Sequence, residues 1–285
     1  MSLERPAPVA AQLSAPQPGA ALAPEGASNL RRLWAARWLM LTWLKYNIQL
    51  RYRQKVLGIL WIALLPVAQS LVFTLVFSRL LNYQVGPVPF ISFYLTGLIG
   101  WSIFSNGLHK GIAALESQRE VLGQVYFPRE ILVIIQLAEV VIDAAFMVGA
   151  LVAINAWYGI LPGAALLFLP LLLAIQLPLT LGLMLILAQL SILVRDVQPL
   201  VVVLTMLFFY LTPVIYPLDA LPAELQGVLA LNPLSALLEA YRAIFLYGRP
   251  PDLLSLAYPA ALAPVVAALG YRFFKKIEPV VIDIL

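Results

Sequence analysis

The run RYRQKVLGILWIALLPVAQSLVFTLVFSRL, Arg51 to Leu80, decides the class of fold. It opens on Arg51, Arg53 and Lys55, then from about Leu57 meets no charged side chain until Arg79. A helix rising about 1.5 Å per residue over such a stretch crosses the roughly 30 Å hydrocarbon core of a bilayer. Working outward, five further stretches have the same character: about Phe93 to Ile112, Ile131 to Trp157, Ala164 to Val194, Leu200 to Tyr216 and Leu253 to Phe274. The sequence therefore predicts an all-α integral membrane protein with six transmembrane helices, the first running from about Leu57 to Leu81.

Composition agrees. Of the 285 residues 62% are hydrophobic and 11% charged, against about 45–50% and about 25% in an average soluble domain. Eighteen basic and 14 acidic side chains are too few to cover a soluble globule of this length. The absence of cysteine excludes disulfides, thiolate metal sites and cysteine nucleophiles, and the single histidine, His109, leaves no ligand set for a zinc centre and no His-based triad. No metal site is expected.

Residues 1–28 are rich in Ala, Pro and Gln and are expected to form a disordered tail; Pro and Gln interrupt every run that could serve as a secretory signal. Basic residues of short loops accumulate on the cytoplasmic side. A cytoplasmic N-terminus places Arg5, Arg31, Arg32, Arg37, Lys45, Arg51, Arg53, Lys55, Lys110, Arg119, Arg129, Arg195, Arg272, Lys275 and Lys276 inside, leaving only Arg79, Arg242 and Arg249 outside. Both termini are thus expected in the cytoplasm of a cell whose inner membrane holds the protein. Lys275-Lys276 reads as an anchor at the end of the last helix. The formal charge of +4 reports this topology and contact with anionic lipid, so no nucleic-acid partner is expected.

Residues 29–54 read as an amphipathic helix in the cytoplasmic interface. Leu30, Leu33, Trp34, Trp38, Leu41, Leu44 and Ile48 recur at three- and four-residue spacing, with Arg31, Arg32, Lys45 and Asn47 largely elsewhere. The alternative is a helix packed only against protein.

Residues 55–285 would form the six-span domain, with a cytoplasmic loop at 113–130 and an outer segment at 218–250. The loop, LESQREVLGQVYFPRE from Leu115 to Glu130, sets Glu116, Arg119 and Glu120 on a polar face and Leu115, Leu122 and Val125 on an apolar one, and Pro128 ends the short helix. It is the natural docking surface for a partner. One is required, because no lysine is followed by Ser or Thr and the chain holds no phosphate-binding loop of the G-x-x-x-x-G-K-[ST] type. Outside, Pro222 to Leu231 and Pro233 to Tyr247 have helical patterns, the second opened by Asn232-Pro233. Leu237, Leu238, Ile244 and Phe245 suggest a re-entrant hairpin. Glu239 and Arg242 can pair there, a contact of structural character.

Glu139 and Asp143 share one face of the third span, Asp143 about 18 Å from its start at about 1.5 Å per residue. At mid-membrane each charge costs about 2.5–3.5 kcal/mol. The cost is met either by a proton relay or by hydrogen bonds to neighbouring helices. The second is favoured, since the spans show no basic partner.

Four stretches together resemble a known family: RYRQKVLGILWIALLPVAQSLVFTLVFSRL, VYFPREIL from Val125 to Leu132, SILVRDVQPLVVVLTMLFFYLTPVIYP from Ser191 to Pro217, and NPLSALLEAYRAIFLYG from Asn232 to Gly248. They resemble, in this order, the membrane subunits of ABC-2 type exporters that move O-antigen, capsule and teichoic-acid polysaccharides. The resemblance implies a permease without enzymatic activity of its own, forming a homodimer bound by two copies of a separate ABC ATPase, on which ATP with magnesium binds. The cargo it implies is a lipid-linked polysaccharide. It makes the loop 113–130 the coupling helix that sits in a cleft of the ATPase, with Glu116, Arg119, Glu120, Tyr126, Phe127, Pro128, Arg129 and Glu130 as coupling residues. Gly123-Gln124 replaces the basic pair that many relatives carry, so no charge contact is carried over there. Arg195-Asp196 becomes a second contact with the ATPase, although an interfacial anchor explains the pair equally well.

The resemblance further makes 218–250 an outer gate containing Tyr216, Glu239 and Arg242 at or near it. It lines the pore with the first and fifth spans and so with Phe73, Phe77, Phe209 and Tyr210, whose rings could stack on sugar faces. Other aromatics, among them Trp61, Trp101, Phe104 and Phe208, fit an ordinary interfacial belt as well. Arg51 and Arg53 stand at the cytoplasmic mouth, where they could meet the phosphate joining glycan to lipid or act only as topology anchors. The competing functions are a drug or lipid exporter of the same fold, a proton-coupled transporter built on Glu139 and Asp143, and an intramembrane glycosyltransferase, for which no acid/base cluster is visible.

Overall fold

The computed structural model describes residues 34, 36–52, 60–118 and 127–284. The expected tail at 1–28, together with Arg53, Arg119, Glu120 and Tyr126, lies outside the described residues, as does the side chain of Arg51. Every regular element among the described residues is helical. In chain order these are α1 (Arg37–Tyr52), α2 (Trp61–Thr74), α3 (Phe90–Ala113), α4 (Glu130–Trp157), α5 (Leu169–Leu193), α6 (Val197–Tyr210), α7 (Ala223–Ala230), α8 (Pro233–Phe245) and α9 (Leu253–Ile284). α2 continues through a π-helical stretch, Leu75–Leu80, and α5 is preceded by a 3₁₀ stretch, Gly163–Phe168.

Among the described residues four helices are long and apolar enough to cross a membrane: Trp61–Leu80, Glu130–Trp157, Gly163–Leu193 and Leu253–Val281, with a fifth if α7 and α8, bent by 100°, form one broken span. α3 occupies the centre, packing against α2, α4, α5, α6 and α8, with twenty of its 24 residues buried. At about 1.5 Å per residue it is about 36 Å long, but Ser92, Ser102, Ser105, Asn106, His109 and Lys110 dilute its apolarity. Ser92, Ser102 and Ser105 are buried in protein, whereas Asn106 and His109 are exposed.

Two expected boundaries move. The stretch expected to span from Leu200 to Tyr216 is helical only over the 14 residues of α6, about 21 Å at 1.5 Å per residue. Pro213 ends it, lacking an N–H and driving Thr212 out of helical geometry. The last helix, expected to stop at Phe274, instead continues to Ile284. Lys275 is therefore an interior residue of α9 and no terminal anchor.

α9 and α5 pack along their length. A methyl group built on Gly270 would overlap the carbonyl of Gly182, and one on Gly182 would collide with the Val266 carbonyl. Backbone meets backbone there, which only glycine permits. Two main apolar clusters result. One surrounds α3 and α8; the other, including Trp43, Leu115, Phe127, Ile131, Leu185 and Phe274, gathers α1, the ends of α3 and α5, the start of α4, and α9.

Candidate functional site

The end of the expected coupling loop is keyed into this second cluster. Phe127 is 5% exposed and its ring lies 5.6 Å from that of Trp43, itself 3% exposed. Trp43 lies roughly 140° round α1 from Trp38 at about 100° per residue. α1 thus has two apolar faces. Trp43 packs on protein, while Trp34, Trp38 and Leu41 are exposed, with the Arg37 guanidinium over both indoles at 5.0 and 6.0 Å. One face of this helix packs on protein and the other is exposed, so it is not packed only against protein.

Beyond Phe127, the first turn of α4 is clamped by α9. Glu130, 2% exposed, accepts a hydrogen bond of 2.6 Å from Lys275 Nζ, which also donates to Glu278 Oε2 at 3.0 Å. Arg129 Nη1 donates to the other Glu278 oxygen at 3.4 Å. Four alternating charges thus join the loop to the last helix. Pro128 and Arg129 are half-buried, whereas Glu116, in the 3₁₀ turn Glu116–Gln118, is exposed. Arg195 and Asp196, in the turn between α5 and α6, are both exposed. Phe127 and Glu130 face inward and so hold the loop, while Glu116, Arg195 and Asp196 are open to a partner.

The third-span carboxylates do have a basic partner, contrary to the sequence reading. Lys110 Nζ donates to Glu139 Oε2 at 3.3 Å and to Asp143 Oδ2 at 3.1 Å, and Asn47 Nδ2 of α1 donates to Glu139 Oε1 at 2.9 Å. Lys110 sits on the last turn of α3, and its side chain reaches Asp143 in the middle of the 28-residue α4. Nearby, His109 Nε2 lies 3.0 Å from Thr205 Oγ1, linking α3 to α6. The Thr205 hydroxyl has carbonyl acceptors at Val201 and Val202 in its own helix.

The aromatic residues assigned to the path form stacks. Phe73 lies parallel to Tyr94 at 4.8 Å and to Phe77 at 5.8 Å, and Phe77 to Phe90 at 5.5 Å. Phe209 meets Trp101 edge-on at 5.5 Å and Tyr210 at 5.5 Å. Phe73, Phe77 and Phe209 are half-buried against the α3 cluster, while Tyr210 is 57% exposed. α2 and α6 turn other side chains outward, among them Leu65, Val72, Val203 and Met206.

At the opposite end, Arg242 is fully buried in α8. Its Nη1 donates to Glu239 at 2.6 Å, its Nη2 to the carbonyls of Pro213 and Val214 at 2.6 and 3.0 Å, and its guanidinium lies 3.7 Å from the Phe93 ring centroid. It satisfies backbone that Pro213 has released from the helix. Asn232 supports the same turn: its Oδ1 caps α8 at Leu234 N, 3.0 Å, and its Nδ2 reaches Thr212 Oγ1 at 2.9 Å. The helix start predicted at Asn232-Pro233 is thus present with its cap. Tyr216 donates to the Tyr210 carbonyl at 2.8 Å. Gln176 Nε2 bonds the Gly100 carbonyl at 2.6 Å and its Oε1 accepts from Tyr241 at 2.7 Å, and Asn155 bonds the Phe245 carbonyl at 3.1 Å, so α8 is tethered on three sides. Sequence reading singled out none of Trp43, Lys110, Glu278 or Gln176 as site residues. The one available signal was their polarity or bulk at positions a lipid-facing pattern does not require.

Apolar helices of spanning length around a largely buried helix define a multi-pass α-helical membrane protein. The chain belongs to the ABC-2 type transporter family, whose profile matches residues 39–246. It is 33% identical over 253 residues, 87% of this chain and 95% of the relative, to the O-antigen export system permease protein RfbA of Myxococcus xanthus. A Klebsiella pneumoniae protein of the same name is 24% identical over 81% of this chain and 89% of the relative. The polysialic acid transport protein KpsM of Escherichia coli is 24% identical over 81% and 90%.

Proposed function

We propose that this chain is the permease of an ABC exporter that carries a lipid-linked polysaccharide, of O-antigen, capsule or teichoic-acid type, out across the cytoplasmic membrane. The observation that carries this reading is likeness over more than four-fifths of the chain to an O-antigen export permease and a polysialic acid transport protein, named for two different glycans. In the proposed arrangement two copies enclose the path and two copies of a separate ATPase, which binds ATP with magnesium, dock on the cytoplasmic side. Six crossings would leave both termini inside, with α3 and the stretch from α6 to Tyr216 adding to the four apolar spans and the α7–α8 pair re-entering from outside.

The side chains support a division of labour. Glu116, Arg195 and Asp196 are exposed where an ATPase would bind, with Arg119, Glu120 and Tyr126 on the same loop. Phe127 and Glu130 are buried and would turn a push on the loop into displacement of α4. Arg51 and Arg53 would meet the anionic linkage of the cargo at the mouth. Tyr210, the exposed member of the aromatic stack, is the ring best placed to slide along sugar faces.

The test is deletion of the gene with plasmid complementation, followed by periodate–hydrazide labelling of surface glycan and extraction of lipid-linked glycan from the cytoplasm. The expected result is loss of labelled surface polymer with accumulation inside, reversed by the wild-type gene. Unchanged surface glycan with no internal accumulation contradicts the proposal.

A further inference from the structure

The α9 half of the ion quartet, Lys275 and Glu278, is absorbed by none of the roles above. Arg129, Glu278, Lys275 and Glu130 alternate in sign, with side-chain exposures of 16%, 15%, 28% and 3%, and every neighbouring pair lies within 3.4 Å. The quartet begins two residues after Phe127. Its other half stands on the part of α9 that runs on past Phe274, where Val281 is buried in the same cluster as Phe127.

From there α9 has little freedom to slip against α5. The Gly182–Gly270 contact leaves no space for even a methyl group, and Gln189 Nε2 donates to the Phe274 carbonyl at 3.3 Å. A force on the start of α4 therefore acts through the quartet on α9 and through the glycine contact on α5. α5 ends at the turn carrying Arg195 and Asp196, so the two proposed ATPase contacts are joined through α9.

We propose that the cytoplasmic extension of α9 transmits movement of the coupling loop to α5 and α9, with Lys275 and Glu278 as positioning residues and the quartet as the joint. This rests on the reading of 113–130 as an ATPase-docking loop. A purely apolar clamp would hold α4 to α9 as firmly, since replacing buried ion pairs by packed apolar groups is often neutral or stabilising. The hydrogen bonds within the ion pairs add a direction-dependent contact that weakens steeply when a helix turns or slides.

The experiment compares three full-length forms expressed in the deletion strain: wild type, Lys275→Met, and the inverted quartet Arg129→Glu, Glu130→Lys, Lys275→Glu, Glu278→Lys, which restores every pair with opposite sign. Each is scored for the ATPase co-purified, for ATP hydrolysis by the purified complex, and for periodate-labelled surface glycan. Lys275→Met is expected to retain the ATPase at wild-type stoichiometry and hydrolysis within about twofold, while surface glycan falls at least about tenfold; the inverted quartet is expected to recover export to within about threefold. Wild-type export by Lys275→Met overturns the proposal, as does loss of assembly and export together without recovery in the inverted form, which would make the quartet structural only. Absence of an ATPase on the wild-type chain overturns the docking-loop reading itself, and the proposal with it.

Discussion

Replacing Arg242 by Met removes the charge that holds the broken end of α6 and leaves the helix bearing it intact. Two buried carbonyls, Pro213 and Val214, lose their donor, and each unmet group costs about 1–3 kcal/mol. The guanidinium also lies over Phe93 at 3.7 Å, a desolvated cation–π contact of about 2 kcal/mol. Against these losses, the variant no longer bears the several kcal/mol needed to desolvate an arginine. The net expectation is destabilisation by about 2–4 kcal/mol. Glu239→Gln offers the contrast: its side chain is 42% exposed, water takes over from the lost charge, and the cost stays below about 1 kcal/mol. Fluorescence-detected size exclusion of heated, detergent-solubilised GFP fusions gives the midpoints. At roughly 2–4 °C per kcal/mol, Arg242→Met should fall by roughly 4–16 °C and Glu239→Gln by no more than about 4 °C. Hydrogen exchange should accelerate selectively at 211–216 in the first variant. Equal losses in the two variants, or none in Arg242→Met, would refute the assignment of Arg242 as the donor to this turn.

Three further outcomes follow from the packing. Gly270→Val should abolish the folded monodisperse peak, because its side chain would overlap the Gly182 carbonyl, whereas Gly149→Ala, with nothing within 4 Å, should raise the midpoint through a gain of about 0.5–1 kcal/mol in helix propensity. Trp43→Ala, emptying a site that is 3% exposed, should cost about 3–5 kcal/mol; Trp38→Ala, at a site 65% exposed, should leave the midpoint unchanged within error. Lys110→Met should destabilise by about 1–3 kcal/mol, discounted from a fully buried pair because Lys110 and Asp143 are 24% and 20% exposed. Asp143→Asn should retain export measured by surface-glycan labelling, and its loss there with a normal midpoint would favour a proton relay.

What the sequence made legible was whatever depends on local pattern. The apolar run after Arg53 identifies a membrane protein, α4 begins within a residue of its expected start, and Asn232-Pro233 marks the cap of α8. What it concealed depends on the partner across a helix pair. Lys275 reads as an interfacial anchor until Glu130 is seen opposite it. Lys110 reads as one more cytoplasmic-side charge until Glu139 and Asp143 are seen to share it. The stretch from Leu200 to Tyr216 reads as one span because apolarity alone does not reveal that Arg242, remote in sequence, makes a proline-broken end tolerable.

As proposed, this membrane chain works by engaging a separate ATPase through the loop 113–130. The most direct measurement is affinity purification of the tagged protein from its native membrane, with identification of co-purifying chains and ATP hydrolysis by the eluate, alongside a Phe127→Ala, Pro128→Ala form. The account predicts an ABC ATPase in the wild-type eluate, with hydrolysis lost or no longer coupled to export in the double variant. A wild-type eluate free of any ATPase in several mild detergents, from cells still exporting glycan, would contradict it.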